Sequence, residues 1–209
     1  STELISVTQN ETSTGVAIPI EDIGQLRENN PNPLLAIDAV SSLPIPIFDF
    51  DQIDSLYFSV QKSFGLPAGL GVWIFNERCI QKAEKLKKEG VYQESFNSIL
   101  NIEKFAKKNQ TTCTPNVLNI YLLGKVVKDM LSKGIEQIRK DAIYKSTLLY
   151  QLFESHAQLS PFVTDKKFRS TTVGVANVNG GSEKLISLLT DKGLQVGNGY
   201  GPFKNKQIR

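Results

Sequence analysis

Lys62 is a candidate for covalent chemistry because of where it falls. It follows the apolar stretch 54–60 and opens the turn Ser63-Phe-Gly-Leu-Pro-Ala-Gly69. A lysine held partly out of water loses its proton readily and becomes an amine nucleophile, although simple exposure is the commoner fate of a lysine in a turn. Asp38 lies near the end of the apolar run Leu34-Leu-Ala-Ile-Asp-Ala-Val40. An ionised aspartate in such a run needs a partner. Either it caps a neighbouring helix, or it answers a bound cation or a protonated ring. The segment Asn10-Glu-Thr-Ser-Thr-Gly15 clusters hydroxyls just after a third apolar stretch. It reads as an ordinary capping turn or as a set of donors for a ligand.

These residues need elements to hold them. Residues 4–8 read as a short strand, 20–27 as a helix with acids in its first turn, and Asn29-Asn-Pro-Asn-Pro33 as a break. The near-continuous apolar run 34–40 has the character of a strand buried on both faces of a parallel sheet. Further strands are expected over 54–60 and 70–75, separated by a loop rich in Gly and Pro. Strand, helix, strand, crossover and strand together imply an α/β layered sheet. The pattern is then helical over 78–89, 115–133 and 135–159, with a polar loop over 107–115. A strand over 168–178, a helix over 182–192 and a final strand begun at Gln207-Ile-Arg209 suggest a second, smaller domain. The expected division is 1–133, part of a large domain, and 134–209, a connecting helix with part of a small one. Both ends read as truncated, because each runs straight into a strand whose edge would be left unpaired.

Ligands of open α/β sheets bind at the carboxyl ends of strands. Three strand ends therefore offer one ligand a lysine, an acid and a hydroxyl cluster. Pyridoxal phosphate needs that set: an amine for its aldehyde, an anion for its ring nitrogen, a hydroxyl for its phenolic oxygen. Other chemistries fit less well. The 24 basic and 21 acidic side chains leave a net charge of +3, and the basic residues are spread along the chain, unlike a nucleic-acid-binding stripe. No run of about eighteen apolar residues suggests a membrane span, and no basic-then-apolar leader opens the chain. His156 is the single histidine, which argues against multi-histidine metal sites. Two separated cysteines, Cys79 and Cys113, imply no disulfide framework and suit a cytoplasmic protein with free thiols. No Gly-x-Gly-x-x-Gly or Gly-Lys-Ser/Thr loop supports nucleotide binding.

The motifs Asn10-Glu-Thr-Ser-Thr-Gly15, Ile37-Asp-Ala-Val-Ser-Ser42 and Ser59-Val-Gln-Lys-Ser-Phe-Gly-Leu-Pro-Ala-Gly-Leu70 resemble, in order and spacing, those of the class V aminotransferases. The resemblance implies a fold type I α/β architecture: a mixed, mostly parallel sheet with helices on both faces and a smaller C-terminal α/β domain. It implies that Lys62 is the Schiff-base lysine, which also carries a proton between the substrate α-carbon and C4′ of the cofactor. It sets Asp38 against the pyridine nitrogen, Thr12 near the phenolic oxygen and Gln61 at the cofactor phosphate. Thr114 matches a residue that reaches the phosphate of the neighbouring subunit's cofactor. Arg209 matches the arginine that grips the substrate carboxylate, a task suited to its planar fork.

Within class V, Phe168-Arg-Ser170 and Asn10-Glu-Thr12 are most similar to the phosphoserine aminotransferases. Those enzymes exchange an amino group between phosphoserine and 2-oxoglutarate in serine biosynthesis, as homodimers with shared sites. Amino-acid and 2-oxo-acid substrates, a cytoplasmic homodimer, and neither a nucleic-acid partner nor a membrane are therefore expected. Where that group carries a His-Arg pair for the substrate phosphate, this chain reads Gly201-Pro-Phe-Lys-Asn-Lys206, so that Lys204 or Lys206 would supply the charge. Asparagine is also common in the group where Cys113 stands. The family's N-terminal portion, with its Gly-rich phosphate loop and ring-stacking aromatic, is expected to be absent. Alternatives are an alanine- or serine-glyoxylate-type transaminase of the same class and a non-catalytic scaffold. A cysteine desulfurase would place histidine before the lysine, where Gln61 stands, and would need a cysteine after Cys113.

Overall fold

The computed structural model describes residues 2–91 and 95–209. Its elements run β1 (Leu4–Thr8), β2 (Asn10–Glu11), β3 (Val16–Ala17), α1 (Ile20–Asn29), β4 (Leu34–Asp38), β5 (Ser55–Ser59), β6 (Gly71–Phe75), α2 (Glu77–Lys88), α3 (Ile99–Ala106), α4 (Val117–Lys133), α5 (Ile135–Ser155), β7 (Leu159–Pro161), β8 (Ala176–Val178), α6 (Glu183–Asp191) and β9 (Gln207–Ile208). The chain forms two compact units. One comprises residues 1–7, 24–38 and 48–129; the other comprises 8–23, 39–47 and 130–209.

The first unit is built on a four-stranded mixed sheet in the order β1-β4-β5-β6. β4 and β5 are parallel, with Ile37 opposite Leu56 and Asp38 opposite Tyr57. β6 returns antiparallel to β5. Side chains alternate across a strand, so Leu35, Ile37, Leu56 and Phe58 share one face and are buried there. Asp38, Tyr57 and Trp73 share the other face, on which Tyr57 and Trp73 stay exposed. Asp54 ties the edges of this unit together. Its carboxylate accepts from Arg27 of α1, the Leu35 amide of β4 (2.8 Å), Asn76 (2.8 Å) and Arg78 of α2 (3.1 Å). Asn76 also caps α2 through its side chain. Burial alone would push the Asp54 carboxyl up; the hydrogen bonds from Asn76, Leu35 and Arg27, with the Arg27 charge, hold it below the usual carboxylate range.

The second unit has a three-stranded antiparallel sheet, β7-β8-β9. Tyr150 and Phe153 of α5 pack with Ala176 and Ile208, and Leu185 and Ile186 of α6 lie against that cluster. Residues 9–18 form the β2–β3 hairpin, closed by Gly15 N to Glu11 O (2.9 Å).

Several expectations from the sequence change here. The segment 168–178 is a strand only over its last three residues. Before them come a 3-10 turn and a stretch in which the Ser170 hydroxyl accepts the Thr172 and Val173 amides. A side chain that takes backbone donors competes with a sheet ladder. The long helix stops at Ser155 rather than 159, because His156 is extended and residues 159–161 pair with β8 instead. The helix α3 and the β2–β3 hairpin were not legible in the sequence pattern. Both cysteines are free, Cys79 buried and Cys113 exposed. Among the described residues no helix is long and apolar enough to cross a membrane.

Candidate active site

In the first unit, the parallel pairing of β4 and β5 sends their carboxyl ends the same way. Asp38 is the last residue of β4, and Lys62 lies three residues past the end of β5. The loop that carries Lys62 is closed by its own backbone: Val60 N reaches Leu70 O at 3.3 Å, Leu66 N reaches Val60 O at 3.1 Å, and Gly65 N reaches Lys62 O at 2.9 Å. Phe64 turns inward and stacks on Phe58, ring centroids 4.8 Å apart. With Val60 and Phe64 as buried anchors, Gln61 and Lys62 are left exposed between them. The buried Asn119 of α4 donates to Pro67 O at 3.0 Å, and Asn116 donates to Gly69 O at 3.4 Å. The loop of Lys62 and the segment that begins at the exposed Thr114 are thereby brought together.

Asp38 has a partner that periodicity alone did not single out. Tyr57 donates its hydroxyl to Asp38 Oδ2 at 2.8 Å. The register that sets the two residues side by side was the available signal, but register is a property of the folded sheet. Burial, then the hydrogen bond to Asp38 and its negative charge, push the Tyr57 phenol up to about 12. Tyr57 therefore stays protonated at neutral pH and acts as a fixed donor to Asp38.

In the second unit, Thr12 is half-buried at the tip of the β2–β3 hairpin and its hydroxyl meets the Ser41 hydroxyl. Asn10 is buried and donates to Ser41 O at 2.8 Å and to Thr172 Oγ1 at 2.6 Å, while its own Oδ1 has no partner. Arg209 lies across the strand-like stretch at Gly197, with backbone bonds in both directions. Its guanidinium stacks 4.0 Å over the Tyr200 ring, and its Nε donates to Asn198 O at 3.0 Å. Lys204 and Lys206 are exposed on the same loop, between Tyr200 and Arg209. His156 is exposed at the end of α5. Ser41, Tyr57, Thr172 and Tyr200 are the site neighbours that the sequence reading missed.

The first unit offers an amine, Lys62, and a carboxylate, Asp38, held by a phenol donor, and the second offers a hydroxyl, Thr12; an aldehyde, a protonated ring nitrogen and a phenolic oxygen require groups of these types. The residues present fit pyridoxal phosphate on that chemistry.

Comparison with known proteins agrees. The model of the family described as Aminotransferase class-V matches residues 1–201. The phosphoserine aminotransferase of Rhodococcus opacus is 30% identical over 215 residues, covering 100% of this chain and 56% of that protein. The crystal structure of a phosphoserine aminotransferase from Cytophaga hutchinsonii matches with a TM-score of 0.95 at 46% identity, over 99% of this chain and 57% of that one. An aspartate aminotransferase from Thermus thermophilus shares the fold, with a TM-score of 0.81 at 21% identity over 97% of this chain and 56% of its own. The chain thus spans a little over half the length of the curated relatives it matches. With a match over nearly its whole length and the lysine and acid at one end of two parallel strands, the chain belongs to the class V aminotransferase family.

Proposed function

We propose that the protein containing this chain is a pyridoxal-phosphate-dependent aminotransferase that converts phosphoserine and 2-oxoglutarate to phosphohydroxypyruvate and glutamate. The observation that carries the reading is the pairing of β4 with β5, which sets Asp38 and the Lys62 loop at one sheet edge. The identity to phosphoserine aminotransferases supports the choice of substrate.

Pyridoxal phosphate, when bound, supplies a carbonyl that condenses with amines and a ring that accepts electrons from the substrate α-carbon. Lys62 holds it and then carries the proton between that α-carbon and C4′. The Asp38 anion keeps the ring nitrogen protonated, and the Tyr57 hydroxyl keeps Asp38 aimed. Thr12 donates to the phenolic oxygen, Gln61 contacts the phosphate, and Thr114 reaches the phosphate in the neighbouring subunit. Arg209 binds the substrate carboxylate. Its Nε is committed to Asn198 O and its plane rests on Tyr200, which leaves the two terminal nitrogens as the fork. Lys204 or Lys206 supplies charge for the substrate phosphate.

The division into part of a cofactor domain (1–133) and part of a small domain (134–209) belongs to the same reading. So do a cytoplasmic location and a homodimer with shared sites. Val117, Leu118, Tyr121 and Leu131 of α4 are large, apolar and exposed in the single chain, which supports a covering surface. A second reading, a transaminase of the alanine- or serine-glyoxylate type, draws on the lysines that stand where a His-Arg pair binds phosphate in phosphoserine enzymes.

The test uses the protein expressed from its complete reading frame and loaded with pyridoxal phosphate. Phosphoserine is expected to bleach the visible cofactor band in a single turnover faster than alanine does. A faster reaction with alanine would favour the second reading, and the absence of any visible band would remove the cofactor.

A further inference from the structure

Thr12 can serve a phenolic oxygen only if its proton points at the ligand, and the surroundings of Ser41 decide where that proton goes. Ser41 is 5% exposed, so its hydroxyl must find its partners within the protein. Its main-chain oxygen accepts from Asn10 Nδ2 at 2.8 Å and from Thr172 Oγ1 at 2.5 Å. Asn10 spends its second amide proton on Thr172 Oγ1 at 2.6 Å. Thr172 thus receives a hydrogen bond from Asn10 and passes its own proton to Ser41 O. Both groups clamp the Ser41 backbone, and neither has a proton to spare for its side chain.

The Ser41 hydroxyl meets Thr12 Oγ1, and among the described residues it has no other hydrogen-bond partner. A hydroxyl carries one donor proton. If Thr12 gave its proton to Ser41, the Ser41 proton would be buried without an acceptor, at the full desolvation penalty of an unmade bond. If Ser41 gives its proton to Thr12, every side-chain donor proton of Asn10, Thr172 and Ser41 meets an acceptor, Asn10 Oδ1 alone stays unpartnered, and the Thr12 proton is released outward. All of these residues belong to one compact unit, so the clamp does not depend on the other.

We propose that Ser41 is a positioning residue that forces the Thr12 hydroxyl to act as a donor toward the cofactor's phenolic oxygen, with Asn10 and Thr172 fixing Ser41 in place. This rests on the reading of Thr12 given above. A donor to that oxygen stabilises its anion, so Ser41 lowers the pH at which the bound cofactor loses its proton.

The measurement is a pH titration of the visible absorbance of the cofactor-loaded protein, expressed from its complete reading frame. Thr12→Val is expected to raise the midpoint by about one pH unit, the scale of one hydrogen bond to a charged group. Ser41→Ala is expected to raise it by a smaller amount. The double variant is expected to match Thr12→Val alone, because Ser41 acts through Thr12. Ser41→Cys keeps the volume with a weaker donor and is expected to fall between wild type and Ser41→Ala, which provides a readout should the alanine variant load poorly. An unmoved midpoint in both Ser41 variants, beside a moved one in Thr12→Val, overturns the proposal. So does a Ser41→Ala shift that persists undiminished in the Thr12→Val background. A wild-type protein that gains no visible band at all defeats the cofactor reading itself, a separate and recognisable result.

Discussion

Lys62 is an exposed side chain on a loop whose backbone is fixed. The residues around it are fixed: Val60 and Phe64 are buried, and the loop backbone closes on itself on both sides. The lysine itself is exposed. Removing its side chain therefore costs little packing. Lys62→Ala is expected to abolish transamination and the visible cofactor band, while the thermal midpoint of the cofactor-free protein moves by less than the roughly 2–4 °C that one kcal/mol represents at this size. Retained turnover would refute the role of Lys62, and a large loss of stability would mean that the side chain is structural. At this scale residue type and position along a strand singled out Lys62, Asp38 and the turn of Thr12 as candidates, and the family resemblance added Arg209. The sequence was silent on Tyr57, Ser41, Thr172 and Tyr200. Tyr57, Ser41 and Thr172 matter through hydrogen bonds to residues distant in the chain, such as the 131 positions between Ser41 and Thr172, and Tyr200 through the ring face it offers the Arg209 guanidinium.

At the scale of elements, the β2–β3 hairpin shows how a turn depends on its neighbour. Gly15 sits at φ 71°, and a Cβ there would lie 2.7 Å from Val173 O. Ser170 N also bonds to Gly15 O at 2.9 Å, so the hairpin and the 170–173 segment are held backbone to backbone. Gly15→Ala meets both a left-handed backbone penalty of about 1–2 kcal/mol and a clash with a carbonyl that has no side chain to move aside. A stability loss of about 2 kcal/mol or more is expected, read from chemical denaturation. A loss below 0.5 kcal/mol would show that the two segments separate easily. The sequence revealed the helices α2, α4, α5 and α6, because apolar residues recurred at helical spacing. It misjudged residues 168–175, because Thr and Val favour strands while the Ser170 hydroxyl diverts the backbone into a turn.

For the molecule as a whole, Asp54 links stability to pH. It is 3% exposed and serves α1, β4 and α2 at once. Its folded pKa lies below the usual value of an aspartate. The unfolded chain therefore takes up a proton first as pH falls, and folding loses stability through and below about pH 4. Above that range the contribution is complete. Asp54→Asn is expected to be less stable than wild type by about 1.5–3 kcal/mol at pH 7. The gap should narrow as pH drops from about 5 toward 3, when wild type also loses the charge. Denaturation midpoints of both proteins across that range test it; a constant gap would mean that the Asp54 charge contributes nothing.

The sequence by itself determined the family and the chemistry on offer. Three short motifs carry the lysine, acid and hydroxyl in a fixed order, and apolar runs between polar turns mark the strands that end at them. These are local properties, set by residue type and spacing. Only the tertiary structure decided which face of β4 Asp38 shares with Tyr57, which loop pins Ser41, and what lies beneath the Arg209 guanidinium. Those depend on strand register and on hydrogen bonds between segments far apart in the chain, and such pairings form only when the whole backbone has been placed.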